Sequence, residues 1–168
     1  MKNGFCLFLG GLLLCLAVPQ AWAHCEIPCG IYNDELRVQK IAEDLTTIEK
    51  SMNQIQKLSK DPKANINQLV RWVESKEVHA DDIRQIVTQY FLAQRVKFPK
   101  ADNAKEKTQY TEKLTLLHRI IVHAMKAKQT TDLDHVETLR ALLAQFRAVY
   151  FGAGGQAHLE THHPAHSG

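Results

Sequence analysis

The chain has no glycine between Gly30 and Gly152, and Pro62 and Pro99 are the only prolines in that stretch. These two residue types are the strongest punctuators of regular structure, so their scarcity argues against a turn-rich β fold and permits long helices. Aromatic residues make up only 7% of the 168, and the formal net charge is +3. A chain so balanced in charge, with no basic stripe interleaved with aromatics, does not have the footprint of a nucleic-acid binder. Cysteine is confined to Cys6, Cys15, Cys25 and Cys29. The longest apolar run, 5–18, is shorter than the roughly 20 residues that a membrane-spanning helix needs.

That run lies in a segment with the layout of a secretory signal peptide. Lys2 supplies a positive start, the apolar stretch follows, Pro19 breaks it, and Ala21-Trp22-Ala23 has the small-x-small form of a cleavage site. Bulky Leu14 before Cys15 argues against a lipoprotein. The expectation is that residues 1–23 are removed, by a general signal peptidase or a dedicated maturation peptidase. The product is exported to the periplasm or the outside and is not membrane-bound after cleavage. Removing 23 residues from 168 leaves 145, which is one domain. Losing Lys2 takes the basic count from 21 to 20 against 18 acidic residues, a net +2.

Cleavage also changes what the cysteines mean. Only Cys25 and Cys29 stay, both within the first six residues of the product. Two cysteines in an exported protein first suggest a disulfide. A bridge there would close a very small loop at a free chain end and would stabilise little.

The body, 33–151, shows helical apolar spacing throughout. The spacing predicts a first helix over 34–59, with Asn33 as N-cap and Ile41, Leu45, Ile48, Met52 and Ile55 inward. A second is expected over 66–96, with Ile66, Leu69/Val70, Val73, Ala80, Ile83, Val87 and Tyr90/Phe91 inward and a break near His79-Ala80-Asp81. A third covers 103–128, with Tyr110, Leu114, Leu117, Ile121 and Ala124 inward. A fourth covers 132–151, with Leu133, Val136, Leu139, Leu143, Phe146 and Val149/Tyr150 inward and Thr131 with Asp134 as a capping box. Four helices on short links form an all-α, up-down antiparallel four-helix bundle. From Gly152 the pattern stops, and 152–168 reads as a disordered tail carrying His158, His162, His163 and His166.

A four-helix bundle suggests a di-iron carboxylate site, which needs inward glutamates and Glu-x-x-His pairs. The only such pair here is Glu160 with His163, in the tail. His79, His118, His123 and His135 show no ligand spacing among themselves and read as surface or structural histidines. The tail histidines have a low-specificity metal-binding composition.

The dense donor set is the new N-terminus, His24-Cys25-Glu26-Ile27-Pro28-Cys29-Gly30-Ile31-Tyr32. Six residues there offer a free α-amine, an imidazole, two thiols and a deprotonatable backbone amide. Mixed nitrogen and sulfur donors in one plane suit square-planar Ni(II). Structural zinc would need four side-chain ligands, and only three are present.

A mature N-terminus reading His-Cys-x-x-Pro-Cys-Gly-x-Tyr, ahead of a four-helix bundle, resembles the nickel superoxide dismutases. The resemblance extends into the body, including the pair Tyr90-Phe91. Glu26 stands where many members carry Asp. The leader and the histidine tail also depart from the best-known members. The resemblance implies a nickel hook over 24–32, with one nickel ion per subunit and superoxide as substrate. It implies that His24 gives its α-amine and, with oxidised nickel, its imidazole. Cys25 gives its amide nitrogen and thiolate, and Cys29 gives the second thiolate. Pro28 and Gly30 shape the hook, Tyr32 positions superoxide or water, and Tyr90 stands behind the site. It implies a homohexamer in which neighbouring subunits enclose each hook. The alternative reading is a non-catalytic periplasmic nickel or copper carrier using the hook and tail. A further one is a structural bundle with an N-terminal disulfide.

Overall fold

Helix α1, Asp34–Leu58, starts where the Asn33 side chain accepts hydrogen bonds from the amides of Glu35 and Leu36. Asp34 and Glu35 lie in its first turn, where carboxylates complement the helix dipole. The computed structural model describes residues 33–100 and 102–152. Helix α2, Pro62–Gln85, follows after a three-residue link, with Asp61 as N-cap and Pro62 in the first turn. A π-helical segment, Ile86–Arg95, continues it. Helix α3 spans Ala104–Gln129 and α4 spans Asp134–Phe151. The described residues hold these helices and no strand, and neighbours in sequence pack against each other, with α4 returning to α1. The up-down four-helix bundle is therefore correct. Among the described residues, no helix is long and apolar enough to cross a membrane. The leader 1–23 and most of the tail lie outside the described residues.

The core is one aliphatic and aromatic seam. Ile41, Leu45, Ile48 and Met52 of α1 meet Ile83 and Val87, then Leu117, Ile120 and Ala124 of α3, and Val136, Leu139, Leu142 and Phe146 of α4. Each fully buried side chain of this size contributes about 1.5–3 kcal/mol over its exposed state. At one end of the seam Phe91 meets Phe146 and Tyr150 edge-on, with ring centroids 4.9 and 5.5 Å away.

Several expectations need correction. Helix α2 begins four residues earlier than the spacing predicted, because Asp61-Pro62 starts this helix rather than merely ending the previous one. The helix does not break at His79-Ala80-Asp81. The inward face of its first half is also rotated. Leu69 and Trp72 are half-buried and Lys76 is buried, while Ile66, Val70 and Val73 stand 65%, 59% and 42% exposed. Lys76 is tolerated inside because its ammonium donates to the carbonyls of Ala127 and Lys128 at the end of α3, and to Glu77. It thereby satisfies orphan carbonyls at the negative end of a helix dipole. In α3 the seam runs through Leu116, Leu117, Ile120, Ala124 and Ala127, and Leu114 and Ile121 lie at its margin. Thr131 does not cap α4; the Asp132 carboxylate accepts from the Asp134 amide at 3.0 Å.

The π-helical winding follows from local chemistry. The Thr88 hydroxyl donates to the Arg84 carbonyl at 2.8 Å and competes for it with the backbone ladder. The segment closes with the Val96 amide reaching back five residues to the Phe91 carbonyl at 2.9 Å. Wider winding lets the adjacent Tyr90 and Phe91 both point inward, at 6% and 0% exposure.

Two outcomes follow from this packing. Phe146→Ala should cost about 3–5 kcal/mol in denaturant unfolding, since it empties the aromatic end of the core. The second concerns His123, whose imidazole lies 5.5 Å from that of His135. Burial, with Lys126, His135 and Arg119 nearby, holds its pKa below the ordinary 6.5. A base with a depressed folded pKa binds fewer protons folded than unfolded. Its contribution to stability is present above pH 6.5 and is lost as pH falls below that value. The thermal midpoint should therefore drop between about pH 7.5 and about pH 5.5, and His123→Gln should flatten that drop.

Candidate metal centre

In an up-down bundle the start of α1, the end of the π-helical segment, the start of α3 and the end of α4 all lie at one end. The donor-rich stretch runs into this end, because Asp34 follows Cys29 by only five positions. Full extension would put Cys29 at most about 18 Å from Asp34. His24, Cys25, Pro28, Cys29, Gly30 and Tyr32 lie outside the described residues. Tyr90, expected behind the site, is at this end and is buried.

Asp34 is the focus of the end. Its carboxylate accepts the Tyr90 hydroxyl, the Tyr150 hydroxyl at 2.7 Å and the Arg95 guanidinium at 2.8 and 2.9 Å. One carboxylate therefore ties together α1, the π-helical segment and α4. The Arg37 and Arg95 guanidiniums lie 5.5 and 5.6 Å from the centre of the Tyr90 ring, and the Lys113 ammonium lies 5.4 Å from that of Tyr150. Glu35 receives two hydrogen bonds from Arg147, at 3.0 and 3.1 Å, and locks α1 to α4 beside them.

The charges and hydroxyls tune each other. Burial alone would raise the Asp34 carboxyl. Hydrogen bonds from Arg95, Tyr90 and Tyr150, with the charge of Arg95, outweigh it and hold the group below its ordinary range. Burial pushes the Tyr90 phenol up, and the adjacent Asp34 carboxylate carries it to about 12. The Tyr150 phenol is raised for the same two reasons. Both tyrosines therefore keep their protons near neutral pH and give them to Asp34 as hydrogen bonds.

Sequence reasoning placed Tyr90 near the site but missed Asp34, Arg95 and Tyr150. Asp34 read only as the start of a helix, and Tyr150 as core. The usable signal was the topology itself, which sends residues near 34, 90–95 and 150 to one end.

A second cluster was also missed. Asp44, His79 and Asp82 bring three donor atoms within 4.8 Å of one another between α1 and α2. His79 Nδ1 lies 2.7 Å from Asp44 Oδ1. The Lys40 ammonium bonds to Asp44 and lies 3.9 Å from Asp82, where a cation would sit. Lys40 thus offsets one of the two carboxylate charges, and the cluster's hard oxygen donors do not suit a redox nickel ion. The described residues contain no cysteine. The sulfur donors Cys25 and Cys29, with the His24 imidazole and the backbone amides beside them, are the groups that suit nickel, and all lie in 24–29. On donor chemistry, that segment fits the metal.

The raised phenols are directly measurable. Phenolate absorbance should show Tyr90 ionising only near pH 12. Asp34→Asn should lower that step part of the way, since burial remains. A Tyr90 step at its ordinary value of about 10 would contradict the assignment.

The sequence model of nickel-containing superoxide dismutase matches residues 19–153. No curated protein and no solved structure matches the chain. The match covers both the donor-rich segment and all four helices, and on it the chain belongs to the nickel-containing superoxide dismutase family, a family of nickel-dependent enzymes.

Proposed function

We propose that the mature chain begins at His24, holds one nickel ion in the hook 24–32, and converts superoxide to dioxygen and hydrogen peroxide. The observation that carries this reading is the donor set itself. An α-amine, an imidazole, a backbone amide and two thiols fall within six residues that lead directly into the Asp34 network. Bound there, nickel supplies one-electron chemistry between its Ni(II) and Ni(III) states, which anionic sulfur and amidate donors bring into range.

The residues divide the remaining tasks. Cys25 and Cys29 hold the metal as thiolates, and Pro28 and Gly30 fold the hook around it. The His24 α-amine is suited to binding near neutral pH, because its free pKa is about 7.7–8.0 and losing its proton costs little. Tyr32 orients superoxide or a water without binding the metal. Dismutation consumes one proton per superoxide, and an ordered water held by a tyrosine can deliver it. Tyr90 stands behind as a structural oxygen. Its phenol, raised to about 12, is not itself a proton donor at neutral pH.

Export to the periplasm or the outside, removal of 1–23 by a peptidase, and a homohexamer belong to the same reading. The hexamer is supported by the outward apolar strip Ile66, Val70 and Val73 on α2, which suits a face between copies. It is supported too by the shortness of the hook, which lacks a scaffold of its own.

The decisive experiment compares protein that begins at His24 with protein that keeps Ala23. One added residue turns the α-amine into an amide while leaving the imidazole and both thiols in place. The expected result is loss of the Ni(III) electron paramagnetic resonance signal and of nearly all superoxide consumption. A carrier using only thiols and imidazole would tolerate the extension, so equal nickel binding and signal in the two forms would sink the enzyme reading.

A further inference from the structure

The cluster between α1 and α2 is a built arrangement. His79 and Asp82 are three positions apart, which puts them on one face of α2. Asp44 meets them from α1, with its side chain fully buried. The bonding of Asp44 is lopsided. Its Oδ1 accepts from the Lys40 ammonium and lies 2.7 Å from His79 Nδ1. Its Oδ2 is buried and has no hydrogen-bond partner among the described residues. A buried acceptor left unsatisfied costs free energy, and more so when it carries charge. The charges are uneven as well, since one ammonium faces two carboxylates. The cluster also opens to water on its outer side: the side chains of Lys40, His79 and Asp82 are 39%, 28% and 41% exposed.

We propose that Asp44, His79 and Asp82 form a site for a zinc ion that braces α1 against α2, and that the ion enters in exchange for the Lys40 ammonium. One ligand atom from each residue already lies within 4.8 Å of the others. An imidazole nitrogen and carboxylate oxygens are donors that zinc accepts, and three protein ligands leave a fourth position for water. Calcium asks for six to eight oxygens, and magnesium for an octahedron of them, so an imidazole among only two carboxylates favours zinc. A dication balances both carboxylates, where the ammonium balances one. It also gives the buried Asp44 carboxylate a partner for the oxygen that has none. Lys40 holds the place in the absence of the ion, and its long flexible stem lets the ammonium move out to water. The inference is independent of the nickel reading. Asp44 lies ten positions along α1 from Asp34, about 15 Å of helix.

The test is a zinc chloride titration followed by the thermal midpoint and by isothermal calorimetry. Every protein in the series carries Cys25→Ser and Cys29→Ser, which removes the thiols that would also take zinc. The tail histidines are present throughout, so differences within the series cannot come from them. Zinc at a hundredfold excess over half-saturation should raise the midpoint by about 5–10 °C, and EDTA should reverse the rise. His79→Gln and Asp82→Asn, with helical content unchanged, should each weaken this binding by more than about a hundredfold, since a direct ligand is worth more than an outer partner. Lys40→Met keeps the stem and removes the competing charge, so it should tighten zinc binding by about fivefold or more. A midpoint that zinc does not move overturns the proposal and leaves Asp44 Oδ2 to a buried water. A rise that survives both His79→Gln and Asp82→Asn overturns it too, because the ion is then bound elsewhere. Equal or weaker binding in Lys40→Met refutes the exchange. Should His79→Gln not fold, Asp82→Asn decides, because its carboxylate stands at the open side of the cluster.

Discussion

The carboxylate of Asp34 is the constraint on which one end of the bundle depends. At this end only the link 96–103 joins two helices covalently, and nothing covalent ties the start of α1 to the end of α4. Here the start of α1, the π-helical turns and the last turn of α4 converge on one buried charge, through Tyr90, Arg95 and Tyr150. The two phenols are amphipathic pieces. Their rings extend the core through Phe91 and Phe146, and their hydroxyls deliver donors to the carboxylate. The polar network therefore costs the core little apolar area. It also sits where the chain leaves for the donor-rich segment.

The π-helical segment carries Tyr90 and Arg95 to this convergence. In an α-helix adjacent residues differ by about 100°, and the wider π winding narrows that angle between Tyr90 and Phe91. Wider winding brings Phe91 into the core and still leaves Tyr90 able to reach Asp34. Two other buried charges, Lys76 and Asp44, have partners of their own. Lys76 completes the end of α3, and Lys40 with His79 answers the buried Asp44.

Much of the fold was legible because helix periodicity and punctuation are local. Asn33 before Asp34, the glycine-free body and the heptad-like steps Ile41, Leu45, Ile48 and Met52 each depend on neighbours within a turn or two. The errors came where one helix face had to be chosen over another. Ile66, Val70 and Val73 formed as good an apolar stripe as Leu69, Trp72, Lys76 and Ala80. Only the partner surface could decide between them, and it accepted a lysine because two carbonyls of α3 were waiting. The capping of α4 failed for a smaller reason: Leu133 takes the N-cap position with no side-chain cap, and Asp132 just before it accepts from the Asp134 amide.

The sequence by itself determined the all-α class and the four helices, and it holds the donor-rich stretch 24–29. Imidazole, amides and thiols are covalently contiguous there, within six residues, so no folding is needed to bring them near each other. Tertiary structure alone decided what stands behind them. Asp34, Arg95, Tyr90 and Tyr150 are separated by up to 116 positions and become neighbours only when the helices alternate in direction and the π turns set the phase. A carboxylate with those partners has a depressed pKa and holds its phenols as donors, properties that belong to the assembled end and to none of its residues alone.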